Sequence, residues 1–228
     1  MERATELLKK TIVIACRILD NENIMDELGH FSARIPNTDH ILINGKVSPG
    51  RATLADIITV DLNGKKIAGT LEASSETPLH LSIYKKRADV MAIAHTHSPM
   101  VVTLSTLGIR LRPLHNTGAS VFSEELPIYK KYGLIDSTST ADEVATLIGN
   151  HPSVILKGHG NVVVGGSIEE CCLAAIWIEK AAAIQYQAMA IGVPHWLPSE
   201  TAESIRKQFL DGKALKRSWD YFEWRATK

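Results

Sequence analysis

The sequence predicts an α/β protein of three layers, α/β/α, with helices on both faces of a central, largely antiparallel sheet. Three observations carry that expectation. Ile41-Leu42-Ile43, Ile57-Ile58-Thr59-Val60, Val154-Ile155-Leu156 and Val162-Val163-Val164 are short β-branched or apolar runs of strand length. Asn44-Gly45, Asn63-Gly64 and the Gly158-His159-Gly160 loop carry turn chemistry between such runs, which suits antiparallel neighbours. Longer segments with helical periodicity and start signals alternate with them, the pattern that layers helices on a sheet. The 228 residues are read as one domain, 1–228, ending in an aromatic helical tail over about 198–228.

Ala4, Leu7, Leu8, Thr11, Ile12, Ala15, Ile18 and Leu19 recur at helical spacing, and Asp20-Asn21-Glu22-Asn23 stops that amphipathic opening helix. The stretch from Gly29 to Ile35 reads as a loop entering a strand that Pro36 and Asn37 end. Pro78 fits a first helical turn with Leu79, Ile83 and Tyr84 following, so Glu76 stands just ahead of a helix N-terminus and His80 reads as packing. Val101 to Gly108 is a short helix ended by glycine. In the polar loop that follows, His115, Arg110 and Arg112 suit either a carboxylate or an interface. Ser139 or Thr140 is the expected cap of a helix that Asn150-His151-Pro152 ends. Gly166-Ser167-Ile168-Glu169-Glu170 forms a capping box opening a helix that runs to about Met189. Gly192-Val193-Pro194 breaks it, and Trp219, Tyr221, Phe222 and Trp224 mark the tail as core or subunit interface.

Twenty-five acidic and twenty-five basic residues balance, so no global field draws the chain to nucleic acid or an anionic membrane. Any anion site is local, such as Lys46 in its loop, which otherwise is simply solvated. No apolar run approaches the roughly 20 residues that span a bilayer. Cys16 and the adjacent Cys171 and Cys172 have no framework or metal spacing and read as buried reduced thiols. A soluble, unexported, cytoplasmic protein acting on a small molecule is the expectation.

The chemistry is centred on Ala94-His95-Thr96-His97-Ser98-Pro99, which follows the apolar run Val90-Met91-Ala92-Ile93. Residues i and i+2 of a strand share a face, so both imidazoles can reach one point about 2 Å away, the length of a metal–nitrogen bond. His159 lies in a similar strand-end setting, flanked by glycines that permit close approach. A lone histidine is more often structural, but two such clusters with the candidate acid Glu76 point to a metal site.

The run Ser75-Glu76-Thr77-Pro78-Leu79-His80, then Tyr84, Arg87-Ala88-Asp89-Val90, His95-Thr96-His97, Gly158-His159-Gly160, Gly165, Ala174 and Glu179 resembles the class II aldolase/adducin family over roughly residues 5 to 190. The resemblance implies one divalent metal per subunit on His95, His97 and His159, with Glu76 as acid/base. It also implies a cyclic homotetramer with sites near subunit contacts. Zinc is the default for this ligand type, with manganese, cobalt or iron as alternatives. By the same resemblance Ser32 and Arg34, in Gly29-His30-Phe31-Ser32-Ala33-Arg34, line the active site, and Ser74 and Ser75 bind phosphate or another anion. Tyr129 or Tyr132 falls in the region from which the aldolases draw a tyrosine proton donor across a subunit contact. Glu179 matches an acidic residue read as helix-positioning.

His30 departs from the asparagine usual in sugar-phosphate members. It is either a proton-handling residue or one packed at the strand start. Together with His115-Asn116 and Trp219-Asp220-Tyr221, it is similar to members that decarboxylate hydroxylated aromatic or pyridine dicarboxylates. Decarboxylation of a hydroxylated aromatic or heteroaromatic carboxylate is therefore the preferred expectation. In it Phe31 and the tail aromatics form walls, Arg34, Arg110 or Arg112 supplies a cation, and Glu76 or His30 acts as acid. The alternatives are an aldolase or epimerase acting on a hydroxy-keto or sugar-phosphate compound, and an adducin-like module without catalysis.

Overall fold

The structure, a computed structural model, describes residues 2–209 and 212–228. Leu210 and Asp211 of the expected tail lie outside the described residues. Helix α1 (Glu2–Asn21) leads into strands β1 (His30–Arg34), β2 (His40–Asn44), β3 (Ile57–Asp61) and β4 (Lys66–Ala68). Helix α2 (Thr77–Lys86), strand β5 (Ala92–Thr96) and helix α3 (Pro99–Thr106) follow, then α4 (Asn116–Ala119), β6 (Ile128–Tyr129) and α5 (Thr138–Ile148). Strands β7 (Ser153–Leu156) and β8 (Gly160–Gly165) precede α6 (Ile168–Ile191), α7 (Ser199–Phe209) and α8 (Lys213–Ala226).

The strands form one sheet in the order β4-β3-β2-β1-β5-β8-β7-β6. Every pairing is antiparallel except β6 with β7. Period-two alternation sends neighbouring residues to two separate cores. Phe31, Ala33, Ala92 and Ala94 join Ile12 and Leu19 of α1, Leu104 of α3, Ile176 of α6 and Trp219 of α8. Ile41, Ile43, Ile93 and Val162 join Leu79 and Ile83 of α2 and Val144 and Ile148 of α5 on the other face. This is the expected three-layer arrangement, and it leaves His30, Ser32 and His95 on the α2 face.

Several local expectations are corrected. Asn44 makes no turn; it ends β2, and its side-chain oxygen accepts from the Phe31 N–H at 2.7 Å. Ser137, not Ser139 or Thr140, caps α5, because its extended backbone turns its hydroxyl onto the Thr140 N–H. At α6, Ser167 caps Glu170, but the Glu170 carboxylate returns to the Gly166 N–H, one residue before the cap. In the tail, Trp219 and Phe222 are buried against α1 and α6, whereas Tyr221 and Trp224 are half exposed. All three cysteines are free and buried, and burial pushes the Cys16 thiol up to about 12. Among the described residues no helix is long and apolar enough to cross a membrane.

Candidate metal and active site

The register of the central strands assembles the site. His30 of β1 lies directly opposite His95 of β5, and Thr96 pairs with Asn161 of β8, which brings the β7–β8 loop and His159 alongside. Gly160 is required there, since a Cβ would lie 2.1 Å from the Thr96 carbonyl oxygen. Gly158 has φ +67°, the left-handed region that favours glycine, and turns the loop so that His159 faces β5. Beyond β5 the chain enters α3, whose first N–H groups, those of Met100 and Val101, donate to Glu179 of α6 at 2.8 and 3.2 Å. Glu179 thus anchors the turn that carries His97.

Three imidazoles converge. His95 Nε2 is 3.2 Å from His97 Nε2 and 3.3 Å from His159 Nε2. His97 Nδ1 meets Asp26 Oδ1 at 2.7 Å and His95 Nδ1 meets the Asn161 carbonyl at 3.2 Å. These acceptors fix the protons of both rings on Nδ1 and turn the Nε2 lone pairs inward. Facing lone pairs repel, and a cation between them removes the conflict. Ligands on a tetrahedral zinc at about 2.0–2.1 Å lie about 3.3–3.4 Å apart, close to the separations seen. The donor set therefore fits a divalent metal. Burial first, and neighbouring imidazoles after it, hold His95 well below the usual histidine range, so it is neutral and able to bind an ion.

Glu76 is the residue before α2, but its side chain does not cap that helix. One oxygen accepts from the Ile135 N–H at 2.7 Å, and the other lies 3.6 Å from His95 Nε2, 3.7 Å from His159 Nε2 and 3.8 Å from His30 Nε2. Burial opposes its ionisation, yet His30, the Ile135 N–H and the neighbouring His159 ring together hold its carboxyl below the ordinary range. Glu76 rests as a carboxylate.

A cavity of about 840 Å³ opens beside these groups, lined by Ser74, Ser75, Glu76, His97, His159, Leu28, Tyr132, Leu134 and Lys157 among others. Lys157 Nζ lies 5.3 Å from the centre of the Tyr132 ring. A second cavity of about 360 Å³ shares Leu28, Ser74 and Ser75 and adds His30, Asn44 and Lys46. Ser74 and Ser75 thus stand where both cavities meet.

Other candidates are placed elsewhere. Ser32 is fully buried and bonded to His80 and Tyr84, and it lines neither of these two cavities. Arg34 donates to the Tyr84 carbonyl at 2.7 Å and lies over the Tyr84 ring, committed to holding α2. The Tyr129 hydroxyl donates to Glu143 at 2.7 Å, away from the cavity, and Tyr132 is the tyrosine at its edge. His115 precedes α4, near Gly118 and Ala181, and lines neither cavity. Arg110 and Arg112 both pair with Glu125. Phe31 cannot be a wall, because alternation turns it from His30 into the opposite core. Trp219 and Phe222 are likewise core. The cavity is lined instead by Leu28, Tyr132 and Leu134, with the cationic side chain of Lys157 among the lining residues. Lys157 adjoins Gly158-His159-Gly160, a signal that was available. Asp26, 71 residues from His97, gave none.

A family model described as the Class II Aldolase and Adducin N-terminal domain matches residues 10–186. The chain is 32% identical to a 3,4-dihydroxyphthalate decarboxylase of Arthrobacter keyseri, over 81% of this chain and 79% of that one. It is also 32% identical to a 5-deoxy-D-ribulose 1-phosphate aldolase of Bacillus thuringiensis serovar kurstaki, over 68% of this chain and 71% of the other. In three dimensions it is similar to an L-fuculose 1-phosphate aldolase from Glaciozyma antarctica PI12, with a TM-score of 0.84 and 24% identity over 97% of this chain and 88% of that one.

Proposed function

The chain belongs to the class II aldolase and adducin family, and from that premise we propose that it is a divalent-metal-dependent lyase that decarboxylates a hydroxylated aromatic or heteroaromatic carboxylate. The observation that carries this reading is the lining of the main cavity. Tyr132 offers a flat face and Lys157 a cation beside His97, His159 and Glu76. In this reading a planar acid stacks on Tyr132 in place of Lys157, which swings to its carboxylate, while its hydroxyl oxygens point toward His95, His97 and His159. A metal held by those three histidines supplies a Lewis acid for the charge left on carbon when the bond breaks. Zinc suits the set best, with manganese, cobalt or iron as alternatives. Glu76, ionised at rest, takes a substrate hydroxyl proton, and Glu76 or His30 faces the carbon that must be protonated. Relatives named as 3,4-dihydroxyphthalate decarboxylases support the choice.

Aldol cleavage of a hydroxy-keto or sugar-phosphate compound is the second reading, favoured by the smaller cavity, where Ser74, Ser75 and Lys46 suit an anion. A non-catalytic adducin-like role would leave the convergence of Glu76 on the histidines without a use. We further place the chain, as one domain, in a cytoplasmic homotetramer with sites near subunit contacts. The test is to load the protein with zinc or manganese and offer hydroxylated aromatic carboxylates, and separately dihydroxyacetone phosphate with aldehydes. Carbon dioxide release from the first panel is expected. Aldol product from the second without carbon dioxide from the first would overturn the preference.

A further inference from the structure

Behind His30 runs a buried chain of hydrogen bonds that ends away from solvent. His30 Nδ1 lies 2.7 Å from His80 Nε2, His80 Nδ1 lies 2.7 Å from Ser32 Oγ, and Ser32 Oγ lies 2.9 Å from the Tyr84 hydroxyl. All four side chains are at most 2% exposed. The other ring nitrogen, His30 Nε2, is buried and has no hydrogen-bond partner among the described residues, and it faces Glu76 Oε2 across 3.8 Å.

Such a chain runs in one direction or the other, and its far end decides which. Among the described residues the Tyr84 hydroxyl meets one polar partner, Ser32. If Tyr84 donates to Ser32, Ser32 donates to His80 Nδ1, and His80 Nε2–H donates to His30 Nδ1. Every proton passed along the chain then has an acceptor, and the remaining proton of His30 sits on Nε2, where it has no partner within hydrogen-bond distance among the described residues but faces the Glu76 carboxylate across 3.8 Å. In the reverse direction His80 Nδ1–H donates to Ser32, either the Ser32 or the Tyr84 proton is left buried and unpaired, and a lone pair of His30 Nε2 is turned toward the Glu76 carboxylate. Arg34 over the Tyr84 ring further favours that hydroxyl as a donor.

We propose that the Tyr84–Ser32–His80 chain fixes His30 as an Nε2–H donor, its Nδ1 accepting from His80, aimed into the active site, where it hydrogen-bonds an anionic oxygen of substrate beside Glu76 and neither ligates the metal nor supplies the proton. The exclusions follow from the polarity. Metal ligation by His30, which the grouping of His30 with Glu76 and His95 would allow, needs a lone pair on Nε2. Release of the Nε2 proton, balanced along the chain, would move one proton per link and leave a tyrosinate at Tyr84, where burial strongly disfavours it. The choice between Glu76 and His30 as acid therefore falls on Glu76, with His80, Ser32 and Tyr84 as positioning residues. The role in catalysis rests on the lyase reading; the tautomer and the metal set do not.

The test needs no substrate. In the zinc-loaded full chain with 15N-labelled histidine, long-range proton–nitrogen correlation reads which nitrogen of each ring carries hydrogen. A scalar coupling across the His80–His30 N–H···N bond identifies the pair without any variant. The expected result is His80 Nε2–H coupled to an unprotonated His30 Nδ1, with His30 Nε2 protonated. A proton on His30 Nδ1, or a zinc-shifted His30 Nε2, would overturn the proposal. In His30→Ala, chelator competition is expected to give a zinc Kd within about twofold of the parent, and a loss at the level of about tenfold or more, the effect of removing a group that supports the metal, would also overturn it.

Discussion

Asp26→Ala tests whether the imidazoles are oriented for an ion. Asp26 Oδ1 accepts from His97 Nδ1 at 2.7 Å and from the Leu28 N–H at 3.0 Å, so the carboxylate is held by its own loop and in turn holds the ring. Removing it frees His97 to rotate or change tautomer, either of which takes its Nε2 lone pair from the site. Carboxylate partners of ligating histidines are worth about 10–100-fold in metal affinity. The Asp26 side chain is 44% exposed, so water replaces part of its contribution, and the lower end applies. A weakening of zinc binding by about tenfold, roughly 1.4 kcal/mol, is expected. Competition with a chromophoric chelator measures it, with Asp26→Asn as control, since its amide oxygen still accepts from Nδ1–H and should recover most of the loss. Zinc affinity unchanged in Asp26→Ala would refute the argument that Asp26 sets the ring.

Glu76→Gln is expected to lower turnover by about 10²–10⁴-fold with zinc content retained, as removal of a general acid/base does. Because the Glu76 carboxyl is held below its usual range, its stabilising contribution is present above the unfolded carboxylate value and lost as pH falls through the lower folded one, which acid titration of thermal stability would show. Lys157→Met should raise KM for an aromatic carboxylate by about tenfold or more with a smaller change in kcat, as a charged hydrogen bond of about 1.5–3 kcal/mol predicts; steady-state kinetics read the split. Trp219→Ala should cost about 3–5 kcal/mol in denaturant unfolding while leaving turnover per folded molecule unchanged, because the side chain is core. The three buried thiols should resist a thiol reagent in the native protein and all react after denaturation.

The layered fold, the antiparallel pairs β2–β3 and β7–β8, and the two histidine-bearing strand ends were legible in the sequence, because period and turn chemistry are local. That His95 and His97 share a face followed from a local rule, the period of two in one strand, whereas His159 was joined to them by the family resemblance and is brought there by the β5–β8 register. What surrounds them was not legible. Arg34, Arg110 and Arg112 are cations in a plausible order along the chain, yet their partners are the Tyr84 carbonyl and Glu125. Tyr129 and Tyr132 are three residues apart, and only packing turns one toward Glu143 and leaves the other at the cavity. The sequence by itself determined strand, helix and the ligand types, since those depend on neighbours one to four residues away. Only the tertiary structure decided that Asp26 holds His97, that Lys157 is the cavity's cation, and that His30 ends a buried chain closed by Tyr84. Each of those depends on groups brought together by sheet register and helix packing, where burial makes an unpaired proton costly and fixes which atom donates.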